Sequence, residues 1–381
     1  MERTLFEPEH EEFRSSVRAF LDKEVIPHYE EWDAAGIVPR ELFRKVGDLG
    51  LFAAVPEQYG GAGVNDLRFS AVFIEESAKL GVTPATLGMT LQSDVCMPYF
   101  LELTNDEQKS RWLPGIASGE LITAVAMTEP GTGSDLSGIS TKAIRDGDHY
   151  VISGAKTFIS NGINADLVIT AVRTSEHKHE GISLLVVERG MPGFERGRNL
   201  DKLGQHAQDT AELSFTDVRV PAANLLGAEG SGFFGLTTNL AQERLGAAIA
   251  AVAQARVALE WTADYVRERK AFGKSIGSLQ NTRFKLAEMV TEIDIAQQWV
   301  DRCVLELNAG RLTPVDAAKS KWWTTELLGR VVDGCVQLHG GYGYMREYPI
   351  AKLFIDARIS RIYGGTTEIM KEIVGRSLNL G

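Results

Sequence analysis

Two stretches of this 381-residue chain carry side chains suited to moving a proton and holding an anion. The first is Asn239-Leu240-Ala241-Gln242-Glu243-Arg244, ahead of an apolar stripe of Leu245, Ile249, Val252, Leu259 and Val266. Taken alone, Glu243-Arg244 reads as a surface pair, as a buried structural ion pair, or as a carboxylate in an apolar pocket. In that last setting the carboxyl pKa rises above the free value near 4.3, which suits a general base. The second is Arg361-Ile362-Tyr363-Gly364-Gly365-Thr366-Thr367-Glu368, where a glycine pair precedes a helix start. A Thr at the N-cap and an acid in the first turn both favour that start. Glu368 therefore reads as structural rather than as a base.

Other segments offer binding chemistry without a unique reading. Thr128-Glu129-Pro130-Gly131-Thr132-Gly133-Ser134-Asp135 is a tight turn with close backbone approach, but it lacks the Gly-x-Gly-x-x-Gly spacing of a dinucleotide fingerprint, and no P-loop is present. Lys156-Thr157-Phe158-Ile159-Ser160-Asn161-Gly162 alternates apolar and hydroxyl residues, as core packing does. Arg267-Glu268-Arg269-Lys270-Ala271-Phe272-Gly273-Lys274 is a basic turn behind a helix, where the macrodipole favours cations. In Gln337-Leu338-His339-Gly340-Gly341-Tyr342-Gly343, glycines permit backbone N–H groups to approach an anion, with His339 as a spacer. Cys96, Cys303 and Cys335 are far apart and the seven histidines are scattered, so no metal set is expected, and a reducing cytoplasm is the simple reading.

The elements that must position these residues follow from periodicity. Phe13, Val17, Phe20 and Leu21 share one helical face, as do Leu42, Val46 and Leu49, with Gly50 as a C-cap. From Leu121 to about Leu226 come strand-length apolar runs such as 165–172 and 182–187, separated by turns, which predict a small β barrel or sandwich. From Gly232 to Arg269 the pattern is helical over about 57 Å at about 1.5 Å per residue, as one helix or as two with a break near Gly246. Residues 279–307 and 315–338 are further long helices. The chain length predicts two or three domains. A net charge of −11 argues against a nucleic-acid binder, and no apolar run reaches the roughly 18 residues of a membrane span.

In order and spacing these segments resemble the acyl-CoA dehydrogenases over essentially the whole chain. The stretch 128–135 matches the family's Thr-Glu-Pro-Gly-x-Gly-Ser-Asp signature. The resemblance implies that Met127 and Thr128 hold a flavin and that Ser134 lies near flavin and substrate. Phe158 would pack on the isoalloxazine and Ser160 would bond its N5, where many relatives have Trp and Thr. Arg269, with Phe272, would reach the diphosphate of a flavin in a neighbouring subunit. Its planar guanidinium fork suits phosphate oxygens. Leu279, Gln280, Gln337, Gly340 and Gly341 match further flavin-contacting positions, and Thr366, Thr367 and Glu368 lie beside the flavin. The loop 361–368 resembles the family's Tyr-Glu-Gly-Thr loop, whose Glu is commonly the base. Gly364 stands at that position, while Glu243 matches the base of the long-chain and isovaleryl subgroups. Together with Ala207 to Leu213, this places the chain nearest the long-chain branch.

The fold implied is α+β and mainly α: a helical domain over 1–120, a β domain over 121–228, and a C-terminal domain over 229–381 containing a four-helix bundle. The reaction implied is FAD-dependent α,β-dehydrogenation of an acyl-CoA to the trans-2-enoyl-CoA. Glu243 would take the pro-R α-proton as the β-hydride moves to flavin N5. The flavin ribityl 2′-hydroxyl and the Gly364 N–H would stabilise the enolate oxygen. Ala241, Arg244 and Gly365 would line the substrate, with Arg244 positioning substrate and base. An electron-transfer flavoprotein would take the electrons, and the enzyme would be a homo-oligomer, a tetramer in the family. An acyl-CoA oxidase or flavin monooxygenase on the same fold is the alternative, with a catalytically silent flavin-binding scaffold as a third reading. Acyl length and branching are not fixed by these residues.

Overall fold

The structure, a computed structural model, describes residues 3–380. Its first third is helical: α1 (Pro8–Glu24), α2 (Tyr29–Ala35), α3 (Glu41–Leu49), α4 (Leu67–Lys79), α5 (Thr83–Thr90), α6 (Met97–Glu102) and α7 (Asp106–Ala117). The expected stripes hold, with Val17, Leu21, Leu42 and Val46 buried. Gly50 ends α3 in the left-handed conformation at φ 94°. Between α5 and α6 the chain widens into one π-helical stretch, Leu91–Cys96. Such widening is frequent at functional sites.

The middle of the chain forms a single sheet. Its strands are β1 (Thr123–Ala126), β2 (Lys142–Asp146), β3 (His149–Ser160), β4 (Leu167–Arg173), β5 (Ile182–Glu188), β6 (Phe194–Asn199), β7 (Thr210–Pro221) and β8 (Leu225–Leu226). Their order is β6-β7-β3-β2-β4-β5-β8, with β1 added parallel to β4. The unbroken apolar runs of β4 and β5 have a direct cause: both strands are covered on both faces. Val168, Val172, Leu185 and Val187 pack with β3 and β7 residues such as Ile152, Leu213 and Phe215. Leu167, Ile169, Ala171, Ile182, Leu184 and Val186 pack on the N-terminal helices. A strand buried on two sides loses the polar alternation of a half-exposed one.

The last third returns to helices: α8 (Gly232–Glu268), α9 (Gln280–Asn308), α10 (Pro314–His339), α11 (Pro349–Ala357) and α12 (Thr367–Arg376). Leu245, Ile249, Val252, Ile293, Val300, Leu327, Leu328 and Val331 form their shared core, joined by Leu67, Ala71 and Ile74 of α4. The C-terminal bundle is therefore continuous with an N-terminal helix. Of the two readings for residues 232–269, one uninterrupted helix is correct. A β-carbon at Gly246 would meet nothing within 4 Å, so this glycine marks neither a turn nor a tight contact.

Candidate active site

Glu243 lies at the start of the fourth turn of α8, facing the loop that joins α11 to α12. The two segments touch closely: a β-carbon added to Gly364 would lie 3.2 Å from Oε1 of Glu243. Gly364 and Gly365 have φ of 62° and 97°, the left-handed region that disfavours side chains. Arg244 Nε donates to the Gly364 carbonyl at 3.3 Å. Among the described residues, Glu243 accepts no hydrogen bond and forms no ion pair, and the Gly364 N–H has no acceptor. Burial pushes the Glu243 carboxyl above the ordinary carboxylate range, opposed by the positive charges of Arg244 and Lys321. A free, partly exposed carboxylate beside a free amide donor can accept a proton while the donor receives developing negative charge.

Several neighbours carried no signal in the sequence. Lys321 of α10 is fully buried and donates from Nζ to the Gly365 carbonyl at 2.7 Å. Burial lowers its pKa to about 8, with Glu243 as the largest opposing charge. Tyr99 is raised by burial and by Glu243, and its hydroxyl is buried without a partner. Asp94, in the π-helical stretch, is pushed up to about 6 by burial, although Ser70 and Ser93 donate to it at 2.6 and 2.8 Å. Gln242 holds the carbonyl of Asp94 at 3.0 Å, tying that stretch to α8. A lysine or an aspartate in a helix looks the same in sequence whether it is buried or solvated.

The turn 128–135 is held against β3 by one buried ion pair. Lys156 Nζ lies 2.9 Å from Glu129 Oε1 and 3.0 Å from the Met127 carbonyl. Burial opposes the Glu129 charge, yet Lys156, Thr141 and Ser140 hold its pKa down at about 2. Thr157 N–H donates to the Thr128 carbonyl at 2.9 Å, so Met127 and Thr128 run beside Phe158. Phe158 is 68% exposed and has φ 60°, at a register irregularity between Lys156 and Ile159. An exposed aromatic in a left-handed conformation costs energy without gaining burial, as residues at binding sites do. Ser160 follows, paired with Thr210, and Ser134 is exposed on the turn.

A second group assembles at the far end of α8. Arg269 caps that helix and lies 5.6 Å over the Tyr342 ring. With Tyr265, Gln337, Gly340 and Gly341 it lines a cleft of about 440 Å³. Gly340 has φ 61°, and β-carbons at Gly340 and Gly341 would meet nothing, so both peptides are open to a ligand. Phe272, three residues after Arg269, is 94% exposed, and Leu279-Gln280 open α9; none of these three lines the cleft. His339 is buried, stacked on Tyr265 at 4.2 Å, which fits its reading as a spacer. None of Met127, Thr128, Ser134, Phe158 or Ser160 lines the cleft. Thr366 is the N-cap of α12, Thr367 bonds Glu326 at 2.8 Å, and Glu368 is exposed in the first turn. Ala241 is half-buried next to Glu243.

This donor set fits a flavin dinucleotide: an exposed aromatic strand suits a ring, and a separate cleft with an arginine and two open glycine peptides suits a diphosphate. Models of the acyl-CoA dehydrogenase N-terminal, middle and C-terminal domains match residues 7–120, 124–218 and 230–379. The chain is 47% identical over 380 residues to the mitochondrial long-chain specific acyl-CoA dehydrogenase of Rattus norvegicus, covering 99% of this chain and 88% of that protein. Among solved structures, an acyl-CoA dehydrogenase from Geobacillus kaustophilus superposes with a TM-score of 0.96 at 50% identity, over 98% of this chain and 99% of the other. A glutaryl-CoA dehydrogenase from Mycobacterium smegmatis in complex with FADH2 superposes with a TM-score of 0.90 at 28% identity, over 98% and 95% of the two chains.

Proposed function

The chain belongs to the acyl-CoA dehydrogenase family, and from that premise we propose that Glu243 is the base that removes the α-proton of a bound acyl-CoA thioester. The protein is a flavoprotein oxidoreductase that dehydrogenates acyl-CoA to the trans-2-enoyl-CoA. The observation that carries the assignment of the base is the unpartnered Glu243 carboxylate against the vacant β-carbon position of Gly364. A thioester α-C–H is too weak an acid for a lone carboxylate, so the enolate oxygen needs a donor already in place. The Gly364 N–H is such a donor, and Arg244 holds the carbonyl of the following peptide, on the other side of the Gly364 α-carbon. When bound, the flavin supplies the acceptor for the β-hydride.

We assign FAD as that flavin, because the aromatic strand at Phe158 and the cleft at Arg269 are two separate contact regions and a dinucleotide has two ends. Phe158, Ser160, Met127, Thr128 and Ser134 would hold the ring end. Arg269, Phe272, Leu279, Gln280, Gln337, Gly340 and Gly341 of another copy would hold the diphosphate end, which makes the working enzyme a homo-oligomer, in this reading a tetramer. Thr366, Thr367 and Glu368 would flank the flavin from the α12 start, and Ala241 and Gly365 would line the thioester. An electron-transfer flavoprotein is the proposed acceptor. Three free, buried cysteines accord with a reducing compartment such as the cytoplasm.

Anaerobic mixing of the flavin-loaded protein with acyl-CoA thioesters of graded length and branching tests the reading. Bleaching of the flavin by at least one thioester, with slow oxygen uptake in air, is the expected result. Rapid stoichiometric oxygen consumption would make the protein an oxidase or monooxygenase, and no bleaching by any thioester would make it a silent binder.

A further inference from the structure

We propose that Lys321 is a positioning residue for α-proton abstraction: its ammonium, fixed on the Gly365 carbonyl, orients the glycine loop that presents the Gly364 N–H, and its charge keeps Glu243 ionised and ready to accept the proton. The inference rests on Glu243 being the base, and deepens that assignment.

α10 is the platform under the whole loop. Lys321 Nζ holds the Gly365 carbonyl at 2.7 Å. Five residues further along α10, Glu326 accepts from Thr367 at 2.8 Å and faces Arg361 at 3.5 Å. At Gly329 the Arg361 guanidinium lies directly on the helix, so that a β-carbon there would come 1.4 Å from Nη2. From the opposite side Arg244 of α8 takes the Gly364 carbonyl. Two successive carbonyls are thus held by two cations from two helices. Both residues are glycines at positive φ, with a wide choice of backbone conformations when unfolded. The cations select the one in which the Gly364 N–H stays free.

The charge on Lys321 has no stabilising explanation of its own. The residue is fully buried, no carboxylate among the described residues lies within 4 Å of it, and its ammonium lies 5.9 Å from the Tyr363 ring. A methionine of similar length would fill the space without the cost of burying a charge. The charged groups that face Lys321 are Glu243 and Arg244 on α8, Glu326 on α10 and Glu368 on α12. Burial has already brought its own ionisation down to about 8, so its charge is lost within a measurable pH range. The reaction moves negative charge from the Glu243 carboxylate to the thioester oxygen. A cation fixed on the same loop, two peptides beyond the one that carries the Gly364 N–H, holds that donor in place for the transfer without having to reorganise.

The test compares Lys321→Met and Lys321→Arg with wild type, all loaded with flavin. Acetoacetyl-CoA is the probe, because its α-proton is acidic enough to ionise on the protein and its enolate is visible as long-wavelength absorbance against oxidised flavin. For Lys321→Met the pH needed to ionise the probe should rise by about one unit, a tenfold shift. Flavin reduction by a substrate thioester should slow by on the order of 10- to 100-fold, below the 10²- to 10³-fold of a direct oxyanion donor. The alkaline limb of the rate profile should disappear in Lys321→Met and move to higher pH in Lys321→Arg, which keeps the charge. An unshifted probe ionisation, or equal shifts in the Met and Arg variants, overturns the proposal. If Lys321→Met does not retain flavin, the alkaline limb of Lys321→Arg decides: it must move up. Failure of the base assignment looks different, as a Glu243→Gln enzyme that reduces its flavin like wild type while the probe shift in Lys321→Met persists.

Discussion

Gly364 and Glu243 compete for one position: the β-carbon that Gly364 lacks would stand 3.2 Å from the Glu243 carboxylate. A carboxylate can approach the same point from α8 or from the α11–α12 loop, and in this chain it comes from α8. With a carboxylate on both residues, the Glu243 side chain or the loop would have to give by a few tenths of an ångström.

Glu243→Gln should retain the fold, the flavin and thioester binding, since the side chain is nearly isosteric. Anaerobic stopped-flow reduction of the flavin should slow by at least the roughly 10²- to 10⁴-fold that a general base contributes. Glu368→Gln should be mild, because Glu368 is exposed at the start of α12. The reverse pattern would put the chemistry in the 361–368 loop.

Gly364→Glu alone should be worse than neutral. It adds a side chain at φ 62°, a contact at 3.2 Å and a second carboxylate beside the first. The double change Glu243→Gly with Gly364→Glu removes the contact and the repulsion, and should recover part of the rate. Equal loss in the single and double variants, measured in the same reduction assay, would show that the two positions are not interchangeable.

The rate profile should have two limbs. Glu243 must be ionised to accept a proton, so the rate should fall on acidification through a value above the ordinary carboxylate range, as burial dictates. The alkaline limb should lie near pH 8, where Lys321 loses its proton. Stability has the opposite sign at Glu243. A carboxyl with a raised folded pKa contributes stability that is full below its unfolded value and is lost as pH rises through its folded value. Glu243→Gln should therefore melt above wild type at pH 8, with the gap closing towards pH 4. A gap that widens on acidification would contradict a raised pKa.

Phe158→Gly should separate folding from cofactor binding. The left-handed conformation costs an aromatic residue about 1–2 kcal/mol that glycine does not incur. The exposed ring gains little burial in return. The apoprotein should melt at the same temperature or higher, while FAD affinity measured by fluorescence titration should fall. A destabilised apoprotein with normal affinity would make Phe158 a packing residue.

Arg269→Ala should weaken FAD retention through the cleft it shares with Gln337, Gly340 and Gly341. Flavin released on gel filtration measures this directly. A fully flavinylated, active monomer in solution scattering would remove the need for a second copy.

The sequence was most legible where chemistry and spacing coincide in one short segment. Glu243, the glycine loop, the Arg269 turn and the Phe158 strand each stand out as a few adjacent residues, but their proposed roles come from the order and spacing they share with the family. The helical stripes and the paired β runs were readable from periodicity. What could not be read is what depends on contact between distant segments. Lys321 is 78 positions from Glu243 and appears in the sequence as one more lysine on an amphipathic helix. The double burial of β4 and β5 shows only as missing polar alternation, which a membrane or core segment shares. Gly246 looked like a possible break because glycine disfavours helix by about 1 kcal/mol, and the packing of a 37-residue helix outweighs that.

That helix also behaves as a crankshaft. Glu243 and Arg269 ride on one rod, separated by about 39 Å along its axis at about 1.5 Å per residue. Neither end has an independent mounting: the angle at which the base meets its loop and the angle at which the arginine meets its cleft are set by one shared phase. A residue inserted or deleted between them would turn one end against the other by about 100° and shift it by about 1.5 Å. The stretch from Leu245 to Glu268 is thus a spacer of fixed count, tolerant of substitution on its exposed face but not of a change in length.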